Sequence, residues 1–263
     1  MLESTYPGGS VASHRYRSVE SMDPEYRKMV VRDIFSTFHR TYDLANRVLS
    51  LRRDLAWRRS ALRKMSFGTT DRFLDVATGT ADLAIMAARA FPGIQVDGVD
   101  IAEPMLEIGR AKARRAGLEG RIRLAAADAL DLPFPDGSFD VSAVAFGMRN
   151  IPDMGRALSE MARVTSPGGR VLVLEMSAEV VAPLRPLYLF YLMKLLPAMG
   201  ALVAGDDSAY VYLAQSIARH PGPERFASLM RAAGLVDVEY RRLTWGAAYL
   251  HVGRARGGRE GLA

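Results

Sequence analysis

Carboxylates recur where apolar runs end in the middle of this chain. Asp75 stands in RFLDVA (72–77), Asp100 closes IQVDGVD (94–100), and Asp128 closes RIRLAAAD (121–128) with Ala129 after it. A carboxylate placed like Asp100 can accept both hydroxyls of a ribose, and one placed like Asp128 can accept the exocyclic amine of a base. Between the first two lies LDVATGTADLA (74–84), where Gly79 allows a ligand close to the backbone and Thr80 follows it. The free N–H groups of the helix that opens there suit a polar or anionic group. No G-x-G-x-x-G occurs, since Thr80 and Ala81 stand where further glycines belong, and no G-K-[ST] occurs at all. That removes both the dinucleotide fingerprint and the P-loop. A fourth apolar run, FDVSAVAF (139–146), ends at Gly147 and then exposes Met148, Arg149 and Asn150. A guanidinium and a carboxamide at that position can address a developing negative charge. Each Asp alone could be a helix cap or turn residue; three at successive strand ends point to one ligand cleft.

These residues need a scaffold that aligns strand ends, and the apolar periodicity supplies it. Runs 72–77, 94–100, 121–128, 139–146 and 169–177 read as strands. Helical patterns at 81–91, 103–117 (with Pro104 in the first turn) and 154–165 lie between strands. Crossovers of that length imply a parallel sheet with helices on both faces, a doubly wound α/β architecture. Residues 183–220 and 223–235 read as helices, the latter stopped by Gly234, and 236–255 as two antiparallel strands joined near Thr244–Gly246. The sheet so assembled has seven strands, mostly parallel.

Domain organisation follows. Residues 1–22 read as a flexible tail, 23–70 as a helical N-terminal cap broken near Ser50, and 71–180 as a ligand-binding core. Residues 181–235 form further helices, 236–255 a C-terminal hairpin, and 256–263 a second tail. No linker divides 23–255, which is one domain.

Composition narrows the chemistry. The 263 residues contain no cysteine, which excludes disulfides, thiolate metal sites and thiolate nucleophiles. No His/acid pair stands at ligand spacing, so no metal is expected. The N-terminus has no apolar core of signal-peptide length, so the protein is expected in the cytoplasm. Residues 1–70 carry 13 Lys+Arg against 7 Asp+Glu, while 71–263 carry 22 of each, so the whole excess of +6 sits in the first quarter. A basic face favours anionic partners, a membrane surface or nucleic acid; its plainer reading is a solvated helix face in an Arg-rich chain.

Four segments, LDVATGTADLA, VDGVDIAEPMLEIGRAK, AAADALDLPFPDGSFDVSAVAFGMRNIPD and LSEMARVTSPGGRVLVLEMS, resemble the motifs of class I S-adenosylmethionine-dependent methyltransferases, which have a Rossmann-like fold. More narrowly they resemble the quinone-biosynthesis C-methyltransferases, the demethylmenaquinone and 2-polyprenyl-6-methoxy-1,4-benzoquinol methyltransferase family. PFPDGSFD followed by FGMRN is the most specific portion. TYDLANRVLSLRRDLAWRR (41–59), YVYLAQSIARHPGPERFASLMRAAGL (210–235) and LTWGAAYLHVG (243–253) extend the likeness to about residues 28–254. The resemblance implies S-adenosyl-L-methionine as cofactor, contacted by Thr80, by Asp100 at the ribose, and by Asp128 with Ala129 near the adenine; Asp75 and Gly79 belong to the same set. The chain departs from the pattern in its first loop, where Ala77, Thr78 and Ala81 replace a more Gly-rich sequence. It departs again at Ala145, where some relatives carry a serine toward the cofactor.

Methylation of a quinol ring carbon, the reaction the resemblance implies, needs a neighbouring hydroxyl to ionise, although a phenol has a pKa of about 10. Arg149 is then the candidate that stabilises the phenolate through its permanent charge, acting through water rather than as a base. Asn150 orients the ring oxygen and Tyr42 closes over the substrate. The competing role for Arg149 is an ion pair with Asp153 at a helix start, and for Tyr42 a packed aromatic of the cap. Residues 184–205 are strongly apolar, but their longest uncharged run is 11 residues, too short to span a bilayer. They suit an isoprenoid-lined tunnel, a contact with an anionic membrane from the cytoplasmic side, or an ordinary buried helix. Demethylmenaquinol is the expected substrate, with the methoxybenzoquinol, another small apolar molecule, or a non-catalytic nucleic-acid-binding or donor-sensing module as alternatives. Nucleic acid is not expected, because no aromatic-basic interleaving occurs. The sequence sets no oligomeric state.

Overall fold

The computed structural model describes residues 50, 53–198 and 208–256. Of the cap it describes Ser50 and residues 53–70, with one helix, α1 (Arg53–Leu62); Tyr42 and the other residues of the expected cap lie outside the described residues. The core follows as β1 (Arg72–Val76), α2 (Asp82–Ala90), β2 (Gln95–Asp100), α3 (Glu103–Arg115), β3 (Ile122–Ala126), β4 (Phe139–Ala145), α4 (Met154–Val164) and β5 (Thr165–Met176). Then come α5 (Arg185–Phe190), α6 (Ser208–Arg219), α7 (Pro223–Ala232), β6 (Val236–Leu243) and β7 (Ala248–Arg254).

Strand order is β3-β2-β1-β4-β5-β7-β6, with β7 antiparallel to both its neighbours and every other pair parallel. The seven-stranded doubly wound sheet with a C-terminal hairpin is therefore the expected one. Alternation of side chains along the strands covers both faces. Phe73, Leu172 and Leu174 enter one apolar cluster with Trp57 of α1 and the buried stripe of α2, while Leu74, Val171 and Val173 enter the other with α4 and α7. The chain reverses direction across the sheet between β1 and β4, and their carboxyl ends open a crevice there.

Several boundaries differ from the periodicity for local reasons. β3 stops at Ala126, two residues before Asp128, which instead turns back to accept the Leu130 N–H at 2.9 Å. β5 begins at Thr165 because Phe139 pairs with it before an irregularity that carries the Ser-Pro-Gly-Gly segment into the strand. In the apolar segment after β5 the helix that begins as α5 widens into a π turn over Tyr191–Leu195. Asp140 is buried, and its carboxylate accepts the N–H groups of Gly68, Thr69, Thr70 and Asp71 at 2.8–3.2 Å. Burial pushes its pKa up, but the four donors together hold it below the ordinary value and seat the cap-to-core connection on β4. At the other end of the sheet the Thr244–Gly246 turn grips the loop after β5. Gly246 sits at φ 102°, where a Cβ would lie 2.3 Å from the Glu179 carbonyl oxygen. The Trp57 indole N–H donates to Thr244 Oγ1 at 2.8 Å, joining α1 to that turn.

Candidate active site

The crevice over β1, β2 and β4 is a cleft of about 900 Å³. Gly79, Thr80, Asp100, Asp128, Ala129, Ala145 and Asn150 all line it, so these expected residues are brought together. Asp100 ends β2 with its Oδ2 accepting the Gly79 N–H and its Oδ1 the Ala102 N–H, both at 2.9 Å. Burial raises its pKa. With the Ile101 N–H also directed at it, the carboxylate keeps acceptor capacity for a ligand hydroxyl. The loop between β1 and α2 bends through Ala77 (φ 51°) and Ala81 (φ 63°), left-handed conformations that glycine takes without strain. Phe146, at φ 63°, makes the same demand at the end of β4. Next to it, a Cβ on Gly147 would lie 2.6 Å from the Ala77 Cβ, so only glycine lets β4 approach the loop.

Asp75 does not line the cleft. It is buried beneath the loop, where one oxygen accepts the Thr78 hydroxyl at 2.7 Å and the Ala84 N–H at 3.1 Å. Burial pushes its pKa up to about 7, against the opposing pull of Thr78, Arg58 and Ala84. Its place is a brace for the loop rather than a contact to a ligand.

Met148, Arg149 and Asn150 form a single 3-10 turn and are all buried, not exposed as their polarity suggested. Arg149 Nη1 donates to the Phe146 carbonyl and to Glu175 Oε1, both at 2.6 Å, and its backbone N–H donates to Glu175 Oε2 at 3.1 Å. The Asp153 pair does not form; Asp153 instead caps α4 by accepting the Arg156 N–H at 2.9 Å. Asn150 is the member of the turn that reaches the cleft. Its Oδ1 accepts from the buried Tyr212 hydroxyl of α6 at 3.1 Å, which leaves the Nδ2 hydrogens as donors. His220 lies near enough to feel both Glu175 and Arg149, and burial pushes its pKa down, keeping the imidazole neutral.

A second cavity, of about 1180 Å³ and almost wholly apolar, lies behind the wall made by Trp57 and Phe146, whose ring centroids are 6.0 Å apart. Trp57, Met176, Leu192, Leu213 and Trp245 are among its lining residues. Tyr188 also lines it and sits in the field of Arg149; burial raises its pKa well above the ordinary value. Glu175, Tyr212, Arg58 and Trp57 are site residues that sequence reasoning missed. The one legible signal was Glu175, a lone carboxylate in the apolar run VLVLEM. Among the described residues no group of three or more His, Asp or Glu could hold a metal ion.

A mostly parallel sheet of this order, with an acid ending β2 and a close-approach loop after β1, is the architecture of class I methyltransferases, and the polar groups lining the cleft fit S-adenosylmethionine. The chain belongs to the ubiE/COQ5 methyltransferase family, whose model matches residues 22–255. It is 46% identical over 220 residues to the demethylmenaquinone methyltransferase of Thermus thermophilus, covering 84% of this chain and 99% of that one. It is 40% identical over 246 residues to the ubiquinone/menaquinone biosynthesis C-methyltransferase UbiE of Idiomarina loihiensis, covering 90% and 98%. Among solved structures, a SAM-dependent methyltransferase from Thermotoga maritima matches in fold with a TM-score of 0.63 at 21% identity, over 85% of this chain and 99% of that one.

Proposed function

We propose that this enzyme transfers a methyl group to a ring carbon of a polyprenyl quinol, converting demethylmenaquinol to menaquinol. The observation that carries this reading is the apolar cavity beside the donor cleft, which suits an isoprenoid chain. The name of the Thermus relative supports the naphthoquinol, and the name of the Idiomarina relative keeps the methoxybenzoquinol as a second substrate to assay.

When bound, S-adenosylmethionine supplies an electrophilic methyl group on a sulfonium. The chain has to present a ring carbon in line with it and manage two protons. Asn150 donates through Nδ2 to the quinol oxygen next to that carbon, favouring the ionised hydroxyl as the proton leaves to water. The carbon that accepts the methyl group would give up its hydrogen as a proton to water, restoring aromaticity, while the electron pair of the broken sulfur–methyl bond would stay with the donor's sulfur. Arg149 acts from behind: its ties to Glu175 and Phe146 fix the turn that aims Asn150. Tyr42 and the rest of the cap would close the site from the substrate side. We place this work at the cytoplasmic face of the membrane that holds the quinol, with the exposed apolar side chains around the cavity as the contact.

An assay with labelled methyl donor, reduced demethylmenaquinone and the methoxybenzoquinol in parallel tests the reading. Asn150→Ala is expected to lower turnover by roughly a hundredfold or more while donor binding stays intact. Failure of the native enzyme to label either quinol would overturn the proposed substrate class, and near-normal turnover in Asn150→Ala would remove that side chain from the mechanism.

A further inference from the structure

We propose that Arg58 of α1 binds the carboxylate at the amino-acid end of the methyl donor, which makes the cap helix part of the donor site. The inference rests on the cleft holding S-adenosylmethionine. That molecule has three unlike regions: a base, a ribose and a zwitterionic amino acid. Asp128 and Asp100 answer the first two. The third carries an anion, and Arg58 is the one Lys or Arg among the described residues lining the cleft.

The geometry around Arg58 is that of a receptor held ready. The residue is 7% exposed. Its Nη1 donates to Asp54 Oδ2 at 2.8 Å, and Asp54 is held in turn by the Ser50 hydroxyl at 2.9 Å. The guanidinium lies 4.9 Å from the centroid of the Phe146 ring. The side chain is thereby pinned on two sides, yet its Nε–H is buried with no hydrogen-bond acceptor. A buried guanidinium N–H left without an acceptor is costly, so it marks a place where an acceptor belongs. A carboxylate matches it in charge and in the planar geometry of the guanidinium edge. Asp75 below the loop also feels the Arg58 charge, which locates the cation at the β1 end of the crevice. Phe146, on which Arg58 rests, closes the same end from β4.

Calorimetric binding of two donor-derived ligands to the full chain separates this role from a purely structural one. S-adenosylhomocysteine carries the amino-acid end; 5′-methylthioadenosine has the same base, ribose and thioether but lacks it. Arg58→Met, which retains apolar packing on Phe146, is expected to lose roughly ten- to a hundredfold in affinity for S-adenosylhomocysteine. Its affinity for methylthioadenosine is expected to stay within about twofold of the native value, which also reports that the cleft is folded. Arg58→Lys keeps the charge without the planar edge and is expected to recover only part of the loss. Unchanged affinity for S-adenosylhomocysteine, or equal losses for both ligands, would overturn the proposal. A native chain that binds neither ligand would instead overturn the donor reading on which it stands.

Discussion

Arg149 and Glu175 are 3% and 2% exposed at the side chain and 2.6 Å apart, so their charges have left water together. Such a pair is held by its geometry, and removing one partner strands the other charge in the interior. Arg149→Ala or Glu175→Ala alone is expected to cost about 3–5 kcal/mol of stability, measured by denaturant unfolding. The double replacement by Met and Leu is expected to recover most of that loss, giving a large coupling in the cycle; strictly additive losses would show that the two charges do not hold one another. The sequence pointed to Arg149 but offered Asp153 as its partner, because Asp153 is four residues away and the distant acid was hidden in a strand. Glu175 becomes the partner only when β5 lies next to β4 and the 3-10 turn folds back, a juxtaposition no local pattern contains. Tyr212 was missed for the same reason, being 62 residues from the Asn150 it orients.

The β1–loop–α2 unit shows what periodicity reveals and what it conceals. Strand, loop and helix were legible, because apolar runs broken at Gly79 can fold in few other ways. The direction of Asp75 was not, since a carboxylate at a strand end can face the ligand or turn under the loop. Here it turns under, and its burial carries a titration. Asp75 is held near 7 when folded, against an ordinary 3.8. Between those values the folded chain binds a proton that the unfolded chain has released, so this group's contribution to stability falls as pH rises from about 4 to about 7 and is lost beyond. Asp75→Asn keeps an acceptor for Thr78 and Ala84 but cannot ionise. The stability of the native chain relative to this variant, from denaturant unfolding at intervals of pH, is expected to decline across that window. A difference that stays flat would show that Asp75 is ionised throughout. Ala77 and Ala81 belong to the same unit: the loop keeps a glycine-like path through left-handed residues, which composition could not disclose.

The whole molecule combines an open apolar cavity with an apolar rim. Leu187 and Trp245 line the cavity and are 68% and 65% exposed, and Phe190, one turn from Leu187, is 60% exposed. Exposed Arg185, Lys194, Arg241 and Arg242 lie on the segments that carry this rim. No described helix is long and apolar enough to cross a membrane. A quinol with a polyprenyl chain resides in the bilayer, and a cavity mouth set in the hydrocarbon boundary would receive it without exposing the chain to water. Sedimentation with lipid vesicles tests this reading. The native chain is expected to bind vesicles containing anionic lipid more tightly than zwitterionic ones, and to weaken as salt screens the cationic rim. Phe190→Asp combined with Trp245→Ser removes two large inserting side chains, each contributing about 1.5–3 kcal/mol when buried, so partitioning is expected to fall by roughly a hundredfold or more. Methylation of a short-chain quinol dispersed in detergent is expected to persist in the same variant, because neither residue touches the donor cleft. Equal vesicle binding by variant and native chain would move the membrane contact to another face, and loss of both activities would show that Trp245, which lines the cavity, serves the substrate as well as the bilayer.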